Sequence, residues 1–314
     1  MLGYQLADGC AREDSDLTPT TPRPDDDPQA KPAVWQSLIE LAGTEGKRWP
    51  QQAAGLARAT PNDFVDLYLP LCRPVTERAR VLGHLGQSID GYIAAASGDS
   101  SFVNDQENIR HLHRLRALHD AVIVGAGTVA ADDPRLTTRR VPGPSPVRVV
   151  LDPNRRLSES FQVFRDGAAR TVLVVAGDSD AADRHGDAEV LFVPATDGLF
   201  DLRALVVRLA GLGLRRLFVE GGGTTVTRFF EAGLLDRLQI AVAPMFIGRG
   251  RPGIRIAAQA SIADCPRPRN RVFAMGQDIL FDCDLSGEDA ATAAPPSGID
   301  EAPVAEASPI RRIR

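Results

Sequence analysis

Residues 120–139, DAVIVGAGTVAADDPRLTTR, limit the fold more than any other part of this 314-residue chain. The run AVIV at 121–124 has the length and β-branched content of a buried strand. Gly125 and Gly127 follow, then Thr128, the acid pair Asp132 and Asp133, Pro134, and finally Thr137, Thr138 and Arg139. A strand that runs into glycines and then into acids, hydroxyls and an arginine is how α/β proteins place a ligand at strand ends. GAGTVA at 125–130 also matches the GxGxxA form of the doubly wound dinucleotide-binding loop, and Asp152 ends a later strand where a ribose-binding acid would stand. That loop must open a long helix, whereas Asp132, Asp133 and Pro134 stop one after about a turn. The glycines are therefore backbone clearance for a cofactor lying across the strand end of a different fold.

The rest of the chain alternates strands with helices. Residues 1–32 are rich in Pro, Thr and Asp and are expected to be disordered. Residues 33–72 read as a helical appendage, with VWQSLIELA and QQAAGLARA as two amphipathic helices that pack on the main domain. A main domain over 73–286 opens with RARVLGHLGQSIDGYIA, a strand, a turn at 88–91 and a second short strand. Ile109, Leu112, Leu115 and Leu118 mark a helix, with Asn104 or Asp105 as N-cap. After the strand at 121–124 come strands at 147–152, 171–177 and AEVLFVPA, then a helix over 202–211. LRRLFVEGGGTTVTRFFEAGLLDRL gives strand, glycine corner and helix, with Gly233 as C-cap. LQIAVAPMFIG is a further strand, RVFAMGQDILFDCDL a terminal hairpin, and 287–314 a disordered tail. This order implies an α/β domain on a mostly parallel sheet flanked by helices.

Glu220 and the glycines at 221–223 stand between a strand and a helix. There a phosphate could approach the backbone and the free N–H groups of the helix start, with Thr224 and Thr225 as hydroxyl donors. The alternative is a tight turn that uses the glycines for shape alone. The formal net charge of −5 gives no basic field for nucleic acid. No run of eighteen apolar residues is present to cross a membrane, and the N-terminal text does not read as a signal peptide. Four scattered cysteines without a CxxC pair fit reduced thiols in a cytoplasmic protein. His111 and His113 lie two apart, off metal spacing, so a core or solvated role is expected and no metal site. The zinc deaminase pattern and GxSxG are both absent.

Taken together, SIDGYIA, SGDSSFVND, HRLRALHDAVIVGAGTVAADDPRLTTR, VRVVLD and LFVEGG resemble the reductase domain of bacterial riboflavin biosynthesis. The resemblance covers roughly residues 73–285 and rests above all on VGAGTV-x-x-DDPRLT-x-R. It implies a dihydrofolate-reductase-like fold, a homodimer, and NADPH-dependent reduction of a phosphorylated aminopyrimidine. The ribosyl C1′ of that substrate would take hydride to give a ribitylamino product. Carried over residue by residue, Ser100, Arg116, Leu136, Arg139 and Glu220 would hold the substrate, the arginines suiting its phosphate. Phe102, Gly125, Gly127, Thr128, Asp132, Gly222, Gly223 and Thr224 would line the cofactor. Asp132 is the candidate catalytic group, positioning the opened sugar or relaying a proton. Asn154, Arg155 and Arg156 would meet the 2′-phosphate of NADPH or else form a charged loop tip.

Some positions depart from the family pattern: His84 stands for a usual Lys, Asn104 for Thr, Phe102 for a common Trp and Pro153 for a frequent Ser. The first removes a permanent positive charge from the substrate side. No counterpart of the pyrimidine deaminase often fused to this domain is legible in residues 1–72. Two further readings stay open: a related reductase acting on another aminopyrimidine or pterin-like compound, and a non-catalytic nucleotide-binding protein of the same fold. Joint retention of Asp132, Arg116, Arg139 and Glu220 weighs against the last.

Overall fold

The β-branched runs that the sequence sets between helices pair into one sheet. The computed structural model describes residues 30–286 except 45–47, 61, 76–77, 101–102 and 180–182. Of the disorder expected over residues 1–32 and 287–314, the parts at 1–29 and 287–314 lie outside the described residues, whereas 30–32 are not disordered but open the first helix. In chain order the elements are α1 (Ala30–Ala42), α2 (Trp49–Ala59), α3 (Asp63–Tyr68), β1 (Arg80–Ser88), β2 (Tyr92–Ala94), α4 (Gln106–Leu118), β3 (Ala121–Gly125) and α5 (Ala126–Asp132). Next come β4 (Val147–Leu151), β5 (Thr171–Ala176), β6 (Arg184–His185), β7 (Ala188–Val193), β8 (Ala195–Thr196), β9 (Leu199–Phe200) and α6 (Leu202–Gly211). The chain continues through β10 (Arg216–Glu220), α7 (Gly223–Glu231), β11 (Arg237–Ala243), β12 (Arg251–Pro252), β13 (Arg269–Met275) and β14 (Asp278–Asp284).

The main sheet has the order β13-β14-β11-β1-β10-β3-β4-β5-β7-β6. From β11 to β7 every neighbouring pair is parallel, while the C-terminal hairpin β13–β14 and the short β6 close the two edges antiparallel. Strands buried on both faces need apolar residues at odd and even positions alike, and β3 shows it. Ala121 and Ile123 join a core with Leu202, Leu205 and Leu209 of α6 and Val226 and Phe229 of α7. Val122 and Val124 join the opposite core with Leu115 of α4, Val129 of α5 and Leu136. The helices over 30–72 share a third cluster with Ala117 and Leu118 of α4 and with Leu280 of β14. Trp35 fixes that contact further by donating from Nε1 to the carbonyl of Pro142 at 2.8 Å.

Local signals explain the helix ends. Asp105 caps α4 by accepting from Glu107 N, and Asp201 caps α6 by accepting from Arg203 N and Ala204 N. Gly233 follows the C-cap of α7 with φ 63°, and Asp133 ends α5 with φ 39°. The second short strand, β2, pairs with β12 rather than with β1, so residues 251–252 form a ribbon beside the strand ends. Sequence periodicity cannot register a partner only two residues long.

Candidate active site

The C-terminal ends of β1, β3 and β10 open into a cleft of about 940 Å³, within the usual range for small-molecule sites. Two glycine corners form its rim. In the first, β3 ends at Gly125, where an added Cβ would stand 2.8 Å from Thr225 Oγ1, so the two corners touch. Gly127 faces open space. In the second, β10 ends at Glu220, and Gly221 and Gly222 turn with φ 64° and 71° before α7 begins. A Cβ on Gly223 would lie 2.4 Å from the carbonyl oxygen of Gly253, so β12 and the segment after it abut the first turn of α7.

Ser100, Gly125, Gly127, Thr128, Asp132, Glu220, Gly222, Gly223 and Thr224 all line this one cleft, as do His84 and Asn104. Phe102 lies outside the described residues. Arg116, Leu136 and Arg139 are not among the lining groups. Arg116 is buried and gives two hydrogen bonds to Glu220, Nε to Oε2 at 2.7 Å and Nη2 to Oε1 at 2.5 Å. Its Nη1 donates to the carbonyl of Thr137 at 3.0 Å. The arginine thus ties the segment after α5 to the acid at the end of β10. Leu136 belongs to the core, with φ 54°, in a turn that Gln162 pins through Asp133. Arg139 is exposed, its guanidinium donating to Thr137 Oγ1 at 2.7 Å and its backbone N–H to His113 Nδ1 at 2.9 Å. Arg155 is held by Asp183 at 2.5 Å and by the carbonyl of Arg184.

Asp132 ends α5 at the cleft. Partial burial raises its carboxyl above the usual range, and Arg251 across the cleft opposes that rise. Arg228, Arg251 and Arg255 also line the cleft, and none forms an ion pair among the described residues. Sequence reading passed over these cations, although the basic glycine-rich run GRGRPGIR at 248–255 was a visible signal. It also passed over Asn108, whose amide Oδ1 accepts from His84 Nε2 at 3.1 Å. Burial lowers the His84 imidazole to about 4, leaving it neutral beside Glu220. Among the described residues no group of three His, Cys, Asp or Glu could hold a metal, and no helix is long and apolar enough to cross a membrane.

Residues 80–264 match the RibD C-terminal domain family. The chain belongs to that family. Over 219 residues it is 37% identical to the 2,5-diamino-6-ribosylamino-4(3H)-pyrimidinone 5′-phosphate reductase of Methanothermobacter thermautotrophicus, covering 67% of this chain and 100% of that protein. It is 33% identical over 213 residues to the riboflavin biosynthesis protein RibD of Aquifex aeolicus, covering 65% of this chain but 57% of that longer protein. A deaminase/reductase of Thermotoga maritima has a similar structure, with TM-score 0.57 and 24% identity over 74% of this chain and 61% of that one. That likeness carries the fold alone. The matched span holds both glycine corners, Asp132, Glu220 and all three cleft arginines, and begins after the helices over 30–72.

Proposed function

We propose that the protein is an NADPH-dependent reductase that converts the ribosyl C1′ of a phosphorylated ribosylaminopyrimidine to the ribitylamino product, in riboflavin biosynthesis. The observation that carries this reading is the convergence, in one cleft of a RibD C-terminal domain, of two glycine corners with Asp132 and Glu220. The site fits a dinucleotide: Gly127 leaves open space at the first corner, Gly221 and Gly222 turn the second corner with positive φ, and α7 starts with free N–H groups. Thr128 and Thr224 add hydroxyls, and Arg228, Arg251 and Arg255 supply charge for phosphates. When bound, the cofactor supplies the hydride. Asp132, whose carboxyl desolvation raises above the usual range, hands a proton to the sugar ring oxygen as the C1′–O bond opens. Glu220, locked by Arg116, orients the substrate, with Ser100 and Arg139 as further substrate contacts.

The neutral His84 where a cation is usual favours a second reading, a related reductase for another aminopyrimidine or a pterin-like compound. A homodimer in the cytoplasm completes the proposal. Supporting the dimer, Ile89, Met245 and Phe246 form an exposed apolar group in which Ile89 N–H donates to the Met245 carbonyl at 3.0 Å.

The test is NADPH oxidation with the phosphoribosylaminopyrimidine in wild type and Asp132→Asn. Turnover in wild type that falls as pH rises above the ordinary carboxylate range, with that limb missing in Asp132→Asn, is the expected result. Tight NADPH binding without turnover selects the second reading, and no dinucleotide binding at all rejects both.

A further inference from the structure

The helices over 30–72 precede the family match, yet one side chain from them reaches the layer behind the cleft. Tyr68, the last residue of α3, is buried and places its hydroxyl 2.6 Å from His111 Nδ1 of α4. His111 Nε2 lies 2.8 Å from Gln239 Oε1 on β11. Gln239 Nε2 in turn donates to Asp282 Oδ1 at 3.0 Å, and Asp282 Oδ2 accepts from Arg237 at 2.7 Å and Arg271 at 2.6 Å. Those two arginines keep Asp282 an acceptor, so Gln239 has to present its amide oxygen to His111. His111 therefore carries its proton on Nε2, and its Nδ1 is left as an acceptor. Tyr68 is the group that fills it.

The His111 ring packs against the ring of His84 with centroids 5.4 Å apart. His84 lines the cleft next to Glu220, its register partner across β1 and β10, and donates from Nε2 to Asn108 Oδ1. We propose that Tyr68 is a positioning residue of the cleft: by donating to His111 it fixes the imidazole that backs His84, so helices outside the family match set the geometry of the cleft floor. The electrostatics agree. Burial lowers both imidazoles, and His84 further disfavours a proton on His111. Arg114, which donates to the Tyr68 hydroxyl at 3.4 Å, also disfavours a charge on His111. A Tyr68 hydroxyl that accepts from Arg114 is free to point its own proton at His111 Nδ1.

The catalytic part of this inference rests on the reductase reading, and the test separates the two. The full chain is labelled with ¹⁵N-histidine, and imidazole nitrogen signals are recorded for wild type, Tyr68→Phe and Leu67→Ala. Leu67 is the buried neighbour of Tyr68 in the same cluster and has no polar group, so it reports loss of packing alone. Wild type is expected to show His111 protonated on Nε2. Tyr68→Phe is expected to shift the His84 signals and lower kcat about tenfold with KM for NADPH within about twofold of wild type. Leu67→Ala should lower Tm while leaving the His84 signals and kcat in place. A His111 proton on Nδ1 in wild type overturns the proposal and needs no variant to fold. So does a Tyr68→Phe protein with unchanged His84 signals or unchanged kcat, or a Leu67→Ala protein that reproduces both effects. Absence of turnover in wild type would reject the reductase reading, and the histidine signals would still decide the positioning.

Discussion

Arg116 illustrates how far a residue's type falls short of its role. An arginine in a phosphate-binding family pattern suggests a cation waiting for substrate, but its guanidinium is consumed by Glu220 and by the Thr137 carbonyl. Burying both charges is tolerable because each satisfies the other, and removing one leaves the other uncompensated. Arg116→Ala is expected to cost about 3–5 kcal/mol of unfolding free energy in a urea titration, a penalty typical of a broken buried pair. Arg139 is exposed and, among the described residues, its side chain bonds only to Thr137, so Arg139→Ala should cost little stability. If it holds the substrate phosphate, the variant raises KM for the phosphorylated substrate and leaves KM for a dephosphorylated one unchanged. Equal effects on both would remove it from that role. The sequence named both arginines but could not separate them, because the partner of Arg116 lies 104 residues away.

At the level of elements, the two glycine corners look alike in sequence and differ in what surrounds them. Gly127 sits in α5, where an added Cβ would meet nothing within 4 Å, whereas one on Gly223 would face the backbone oxygens of Pro252 and Gly253 at 2.6 and 2.4 Å. Gly127→Ala should therefore hold or raise the unfolding free energy, by up to about 1 kcal/mol from helix propensity, while weakening NADPH binding measured by fluorescence titration. Gly223→Ala has no flexible side chain to push aside and should destabilise by about 1–3 kcal/mol, as overpacking does. A Gly127→Ala protein with wild-type cofactor affinity would mean that the open space there is not the cofactor path. The literal GxGxxA match was misleading for a reason legible in the sequence: Pro134 and the acids before it end α5 at Asp132. The ribbon of β2 and β12 was not legible, since two-residue pairing carries no periodic signal, and with it went the placement of Arg251.

For the whole molecule, the buried histidines set the response to acid. His84 and His119 are lowered to about 4 by burial, and His111 is lowered well below its ordinary value by the same cause. An unfolded histidine titrates near 6.5, so between about 6.5 and 4 the unfolded chain binds protons that the folded chain refuses. Stability is then full above about pH 6.5 and falls as pH drops, by about 1.4 kcal/mol per pH unit for each such histidine once its unfolded form is charged. Urea midpoints measured from pH 7.5 to 5 should fall accordingly, and His119→Gln should flatten the slope by one histidine's share. The sequence by itself determined the long central strands, the caps of α4, α6 and α7, the parallel α/β class and the family pattern, because apolar period, capping residues and glycine-proline punctuation act over a few neighbouring residues. It placed Gly125 and Glu220 at strand ends, and Thr128 and Asp132 in the short segment after the first, for the same reason. Only the tertiary structure decided which charges neutralise one another, which arginines face the cleft, and that α3 reaches His111. Those facts depend on groups far apart in the chain meeting where water is excluded, and no local pattern records such a meeting.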